Sequence, residues 1–265
     1  MKRLMTLALA LLLMLGAAAC GNTVTDEGGN PPASQAPAGT EPSGEGGGTA
    51  AKDTIIYAFW NAPSGVLQPL LVDDEYDGAI LKFTFDTLLA YDKELNVVPN
   101  MAEYTMSEDQ KTLTFTLKEG IKWHDGEPVT AEDVAFTING IVNGEAAEAD
   151  LSMVDEARAV DATTCEIAMK RPNNALLYTL AVMGIVPAHA YGPDYGEHPI
   201  GSGRYMLEQW DRGQQVILRA NPDYYGDAPL MDRVVVLFME EDASLAAAQS
   251  GTADVAYTSA ALAGA

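Results

Sequence analysis

The sequence predicts an α/β fold, and three observations predict it. From Thr112 to Lys118 the chain alternates. Leu113, Phe115 and Leu117 point one way, and Thr112, Thr114, Thr116 and Lys118 the other, which is the period of a half-buried strand. Thr130 then opens a helix, with Asp133 three residues on in the position of a capping-box partner, and Ala131, Val134, Ala135, Ile138, Ile141 and Val142 recur at helical spacing. Finally, 48% of the 265 residues are hydrophobic, enough to bury a core in one large domain or two small ones.

Taken in order, Thr54 to Phe59 reads as the first strand of the body, ended by the loop Trp60-Asn61-Ala62-Pro63-Ser64-Gly65. Gly78 to Leu89 reads as a helix with Ile80, Phe83, Leu88 and Leu89 in the core. Glu119-Gly120 breaks the strand at 111–118, Ile121 to Trp123 reads as a second short strand, and Asp125-Gly126 turns the chain. Asn143-Gly144 stops the helix opened by Thr130. Beyond an acidic link at 144–150, Met153 to Val160 and Thr164 to Arg171 form a hairpin around Asp161-Ala162-Thr163. Asn173 to Met183 is helical, with Leu176, Leu177, Leu180 and Val182 apolar. Arg204 to Trp210 and Gln214 to Ala220 pair around Asp211-Arg212-Gly213. A strand at 233–239, a helix at 242–249 closed by Gly251 and a strand at 254–257 complete the body.

The N-terminus is of another kind. Lys2 and Arg3 precede an apolar run from Leu4 to Leu15 and the small residues Gly16 to Ala19, the pattern of a signal peptide over 1–19, too short for a comfortable membrane span. The small residues end on Cys20, which resembles a bacterial lipobox with Ala17 in place of its commonest leucine. Lipidation of Cys20 is the resulting expectation. Residues 20–52 are rich in Gly, Pro, Ser and Thr, with almost no large apolar side chain, and are expected to be a disordered tether. The remaining cysteine, Cys165, faces the same way as Ile167 and Met169 and reads as a buried small hydrophobe.

Acidic residues outnumber basic ones 38 to 15, giving a net charge of −23. Such a surface repels phosphate backbones, so nucleic acid is excluded as a partner, and the charge itself serves solubility. No G-x-S-x-G, P-loop or H-E-x-x-H pattern is present, so the chain is not read as an enzyme. His124, beside Asp125, could act as a general base, though a turn residue is the better reading. His189 and His198 are too few to make a metal site, and no cofactor is expected.

The string FTLKEGIKWHDGEPVTAEDVAFTI, from Phe115 to Ile138, resembles the signature of the family-5 extracellular solute-binding proteins, the receptors of ABC importers for oligopeptides, dipeptides, nickel and other solutes. A second resemblance begins at Gly201, in GSGRYMLEQWDRGQQVILRANPDYYG, although the family usually has Pro where Arg204 stands. Val98 to Glu103 and the step from the helix at 242–249 to Asp254 fit as well. The resemblance implies a periplasmic-binding-protein-like type II fold. Residues 53–98 and 201–257 would be part of the main lobe, and 99–200 an inserted α+β satellite domain. Family members continue into a second lobe, so the chain is expected to be an N-terminal portion that by itself binds peptides weakly or not at all.

Relatives clasp an extended peptide between lobes, main chain to main chain. The loop after the first strand reaches that cleft, which makes Trp60, Asn61, Ala62 and Pro63 the expected ligand contacts, with strand-end packing as their alternative. Tyr224 and Tyr225 are expected to pack. The resemblance further implies a monomer outside the cell, held to the membrane by lipid on Cys20, with a peptide ligand and an ABC permease as partners. Nickel or another small solute is the alternative ligand. A surface hydrolase and an inert truncated product are the alternatives of other classes.

Overall fold

The structure, a computed structural model, describes residues 53–72, 74–144, 149–257 and 259. The expected signal peptide, Cys20 and tether lie outside the described residues. A five-stranded sheet has the order β11-β1-β10-β9-β8. β1 (Thr54–Phe59) runs parallel to both neighbours, β10 (Arg233–Phe238) and β11 (Val255–Ala256). β10 continues antiparallel into β9 (Gln215–Ala220) and β8 (Tyr205–Asp211). Helix α1 (Glu75–Thr84) follows β1, and α4 (Glu241–Gln249) carries the chain from β10 across to β11 on the other side of β1.

Between β1 and β8 lies a second, four-stranded antiparallel sheet of order β4-β5-β7-β6, made of β4 (Ala102–Met106), β5 (Thr112–Leu117), β6 (Val154–Ala159) and β7 (Thr164–Met169). Helix α2 (Ala131–Val142) packs on β6 and β7. A short hairpin, β2 (Leu89–Tyr91) with β3 (Val97–Pro99), and helix α3 (Ala175–Leu180) complete this part. Each sheet has its own core. Leu113, Phe115, Trp123, Val134, Ile138 and Ile167 anchor one, and Phe59, Ile80, Phe85, Val216, Leu218 and Val236 the other. Leu88, Leu89 and Met101 belong to the core of the four-stranded sheet, and Val186 and Tyr195 to that of the five-stranded one. The packing thus changes sheet near residues 85–88 on the way out and 185–186 on the way back.

The alternation in β5 buries Leu113, Phe115 and Leu117. In β7, Cys165, Ile167 and Met169 share the buried face, and burial pushes the Cys165 thiol up to about 11, which leaves it unreactive at neutral pH. The Asp161 carboxylate accepts from the Thr163 and Thr164 amides at 2.8 Å each and closes the β6–β7 turn. At the start of α2 the Asp133 carboxylate reaches back to the Thr130 N–H at 2.9 Å, and Gly144 ends the helix region with φ +102°.

Three elements differ from expectation. The helix expected at 78–89 occupies 75–84, because the Asp74 carboxylate accepts from the Tyr76 and Asp77 amides at 2.8 Å each and starts it earlier. Its end is set by the returning chain: the Gly203 N–H donates to the Thr84 carbonyl (2.9 Å), Ser202 Oγ accepts from the Asp86 N–H (3.3 Å), and Leu88 and Leu89 are buried beyond the helix, at a bend and at the start of β2. The strand expected at 121–123 is reduced to one bridge, Lys122 to Pro128, within a tight turn. Helix α3 covers six residues, and Val182, beyond its end, is exposed.

Candidate functional site at the open end of the parallel strands

β1, β10 and β11 run the same way, so their C-terminal ends share one edge of the sheet. Ligands of open α/β sheets bind beyond such ends. The edge is tied together by backbone: the Met239 N–H donates to the Phe59 carbonyl (3.0 Å) and the Tyr257 N–H to the Ala58 carbonyl (2.8 Å). Ser244, fully buried on α4, places its hydroxyl 3.1 Å from the Ala58 carbonyl and 3.0 Å from that of Tyr257. Aromatic rings cover the end. Phe59 lies 4.5 Å from Tyr257 and 5.7 Å from Tyr76, and Trp60 stands edge-on to Tyr76 at 6.2 Å. Trp60 and Tyr257 are each 39% exposed, whereas Phe59 and Tyr76 are buried.

Trp60 and Asn61 are exposed, and Ala62 and Pro63 are half-buried. The Asn61 side-chain oxygen accepts from the Ala62 N–H at 2.9 Å. Both helices that begin here start with acidic residues, Asp74, Glu75 and Asp77 on α1 and Glu240, Glu241 and Asp242 on α4, which suits their positive ends and makes the edge electronegative. Burial, and after it Glu75, pushes the Tyr76 phenol up to about 12. The edge can therefore offer aromatic faces, main chain and negative potential.

The histidines lie elsewhere, and the rings of His124 and His189 have structural partners. His124 is the joint between the two signature stretches. Its Nδ1 accepts from the Gly201 N–H (3.2 Å), its Nε2 donates to the Gly203 carbonyl (3.0 Å), and its backbone N–H donates to the Gly201 carbonyl (2.8 Å). Burial pushes its pKa down to about 4, so the ring is neutral and committed on both sides. The ring is thus more than a corner residue, because it clamps the returning chain. Gly201 is required there: a Cβ would lie 1.8 Å from the Thr84 carbonyl oxygen. Asp133 serves the same joint, accepting from Trp123 Nε1 (3.3 Å) and the Ala188 N–H (2.8 Å) besides capping α2. His189 Nε2 meets Asp125 at 2.8 Å. Among the described residues, no group of three or more His, Cys, Asp or Glu side chains is arranged to hold a metal ion.

Arg204, in place of the family's proline, lies with its guanidinium 5.3 Å from the centre of the Tyr224 ring, and the Tyr224 hydroxyl donates to Asp86 at 2.9 Å. Burial pushes the Asp86 carboxyl up, against the opposing pull of Tyr225, Tyr224 and Arg204. Tyr225 packs on the core of the four-stranded sheet. The pairings of Asp133 with Ala188, Gly201 with His124 and Asp86 with Tyr224 have no local signal, because each joins residues far apart in the chain.

The family described as bacterial extracellular solute-binding proteins, family 5 Middle, matches residues 96–263. Protein XP55 of Streptomyces lividans is 33% identical over 207 residues, 74% of this chain and 37% of that protein. The glutathione-binding protein GsiB of Salmonella typhi is 29% identical over 219 residues, 78% of this chain and 42% of that protein. NikZ of Campylobacter jejuni, solved in complex with Ni(L-His), superposes with a TM-score of 0.73 at 23% identity, over 80% of this chain and 45% of that one, and shares the fold. The chain belongs to the family-5 extracellular solute-binding proteins. It spans well under half the length of the curated relatives it matches.

Proposed function

We propose that the chain serves an ABC importer as its extracytoplasmic substrate-binding protein, taking up peptides and passing them to a membrane permease without covalent chemistry. The observation that carries this reading is the open edge of β1, β10 and β11, where exposed Trp60 and Asn61 stand beside main chain and two acidic helix starts. Main-chain pairing supplies affinity that tolerates many side chains, and an electronegative edge suits the ammonium end of a peptide. GsiB, a relative by sequence, is named for glutathione, itself a peptide. In this reading Trp60, Asn61, Ala62 and Pro63 touch the ligand, a lipid on Cys20 holds the monomeric protein at the membrane, and ligand binding favours a closed state that docks on the permease.

A nickel–histidine chelate is the second ligand class, favoured by the shared fold of NikZ. The test is an NMR titration, which registers even weak binding, with the Trp60 indole resonance assigned by comparison with Trp60→Phe. The ligands are a panel of di- to pentapeptides and Ni(II)–L-histidine. Peptide-dependent shifts at Trp60 and its neighbours support the proposal. Shifts with the nickel complex alone move the assignment to metal chelates, and peptide shifts confined to other parts of the chain overturn the assigned site.

A further inference from the structure

The loop that carries Trp60, Asn61, Ala62 and Pro63 is bracketed by one helical turn. At its near end the Trp60 ring rests against Tyr76. At its far end the buried Asp77 carboxylate accepts two hydrogen bonds from Ser64, from the backbone N–H at 2.9 Å and from the hydroxyl at 2.6 Å. Tyr76 and Asp77 are adjacent in the first turn of α1, whose start is fixed by the Asp74 cap. A third tie comes from the β8–β9 turn: Arg212 donates to the Gly65 carbonyl at 2.9 Å while its guanidinium stacks 4.2 Å from the Trp210 ring centre. Gly65 needs to be glycine there, with φ +106° and Arg212 3.2 Å from where a Cβ would sit.

We infer that Tyr76, Asp77 and Ser64 are positioning residues for the ligand-facing loop, holding Trp60 and Asn61 in a fixed presentation before any ligand arrives. The inference rests on the proposed ligand site only for its consequence in binding. The rigidity itself stands on the bonds just described. A fully buried carboxylate is expensive unless its oxygens are satisfied, so its place under an otherwise exposed loop calls for a purpose. Two hydrogen bonds to one serine, the shorter charge-assisted, resist displacement of that residue in a way apolar packing alone does not. Sites held this way lose less entropy on binding, because the loop is ordered beforehand.

The experiment compares the full chain with its Ser64→Ala, Ser64→Thr and Asp77→Asn variants. The readouts are thermal unfolding, acrylamide quenching of the Trp60 fluorescence (obtained by difference from the same chain carrying Trp60→Phe) and the NMR peptide titration. Ser64→Ala keeps the backbone bond and loses the hydroxyl, so the fold is expected to persist. Its Trp60 quenching should rise about twofold and its peptide affinity fall roughly fivefold, the loss of about one hydrogen bond. Ser64→Thr, which keeps the hydroxyl, should restore both. Unchanged Trp60 quenching in folded Ser64→Ala overturns the inference, whatever happens to Asp77→Asn. Raised quenching with peptide shifts unaltered leaves the positioning role standing and removes Trp60 from the ligand site.

Discussion

The two sheets of this protein are built in opposite ways. The four-stranded sheet comes from one stretch of chain, 102–169, and three antiparallel pairings join its strands. The five-stranded sheet begins with β1 and waits until residue 205 for β8. Its parallel pairs, β1 with β10 and with β11, join residues about as far apart as the described chain allows. The first sheet closes over its own core and carries no part of the candidate site. The second ends in an open edge where Trp60 and Tyr257 are partly exposed. A locally paired sheet can be finished by its own sequence, whereas a sheet assembled from distant strands leaves strand ends and loops free for a ligand.

The largest effect should come from the closed region. Phe115, fully buried in β5, is expected to cost about 3–5 kcal/mol when changed to Ala, through lost burial and a residual cavity. Urea denaturation would show it, and a loss below about 1 kcal/mol would mean that this core is less tightly packed than its burial implies.

Next comes the joint between the regions. His124→Ala should cost about 2 kcal/mol, because it leaves the buried Gly201 N–H without its acceptor and weakens the hold on the Gly203 carbonyl. The same residue gives a pH dependence. Its folded pKa, about 4, lies below the ordinary 6.5, so the unfolded chain binds the proton more readily. The stabilisation is complete above pH 6.5 and is lost as pH falls through 6.5 towards and past 4, with an upper limit on the order of 3 kcal/mol. Asp86 works the other way: its raised carboxyl pKa favours the folded state more as pH falls through its folded value towards the ordinary 3.8. Stability measured from pH 7 to 4 should therefore fall less steeply in His124→Gln than in the parent chain. An unchanged slope would remove His124 as the cause.

The open edge should respond in function more than in stability. Trp60→Ala is expected to cost less unfolding free energy than Phe115→Ala, since Trp60 is partly exposed and Phe115 fully buried, while reducing peptide affinity roughly tenfold or more. A large stability loss with intact binding would reassign Trp60 to strand-end packing. The smallest effect belongs to the surface of the four-stranded sheet. Arg158 and Glu166 meet at 2.6 Å across β6 and β7 but are largely solvated, so Arg158→Ala should shift stability by no more than about 0.5 kcal/mol, and less in high salt.

These contrasts follow how much was legible beforehand. The alternation of β5, the start of α2 at Thr130, the hairpin at Asp161 and the inward face of Cys165 were readable because each depends on residues near one another in the chain. Strands β2 and β3 have no readable period, since segments such as Val97–Pro99 carry too few residues for one to register. The helix lies at 75–84 and not at 78–89 because the Asp74 side chain caps its start and the returning Gly203 ends it at Thr84. For the candidate site, the loop at 60–63 came from the family resemblance, while the Asp77–Ser64 bonds and the ring of Tyr76 beneath Trp60 had no signal of their own.

The sequence by itself determined the α/β character, most of the strands and helices and, through its two signature strings, the family. Periodicity, turn chemistry and caps act over a few residues, and that is the range in which sequence is directly physical. Tertiary structure alone decided that the two signatures meet through His124, Gly201 and Gly203, that Asp133 and Asp86 each serve the junction, and that β1, β10 and β11 bring Trp60, Tyr76 and Tyr257 to one edge. Those placements depend on closing loops of up to 198 residues, as in the bond from the Ile56 N–H to Asp254. The contacts that compensate for such closure are made between whole packed layers, so no local pattern announces them.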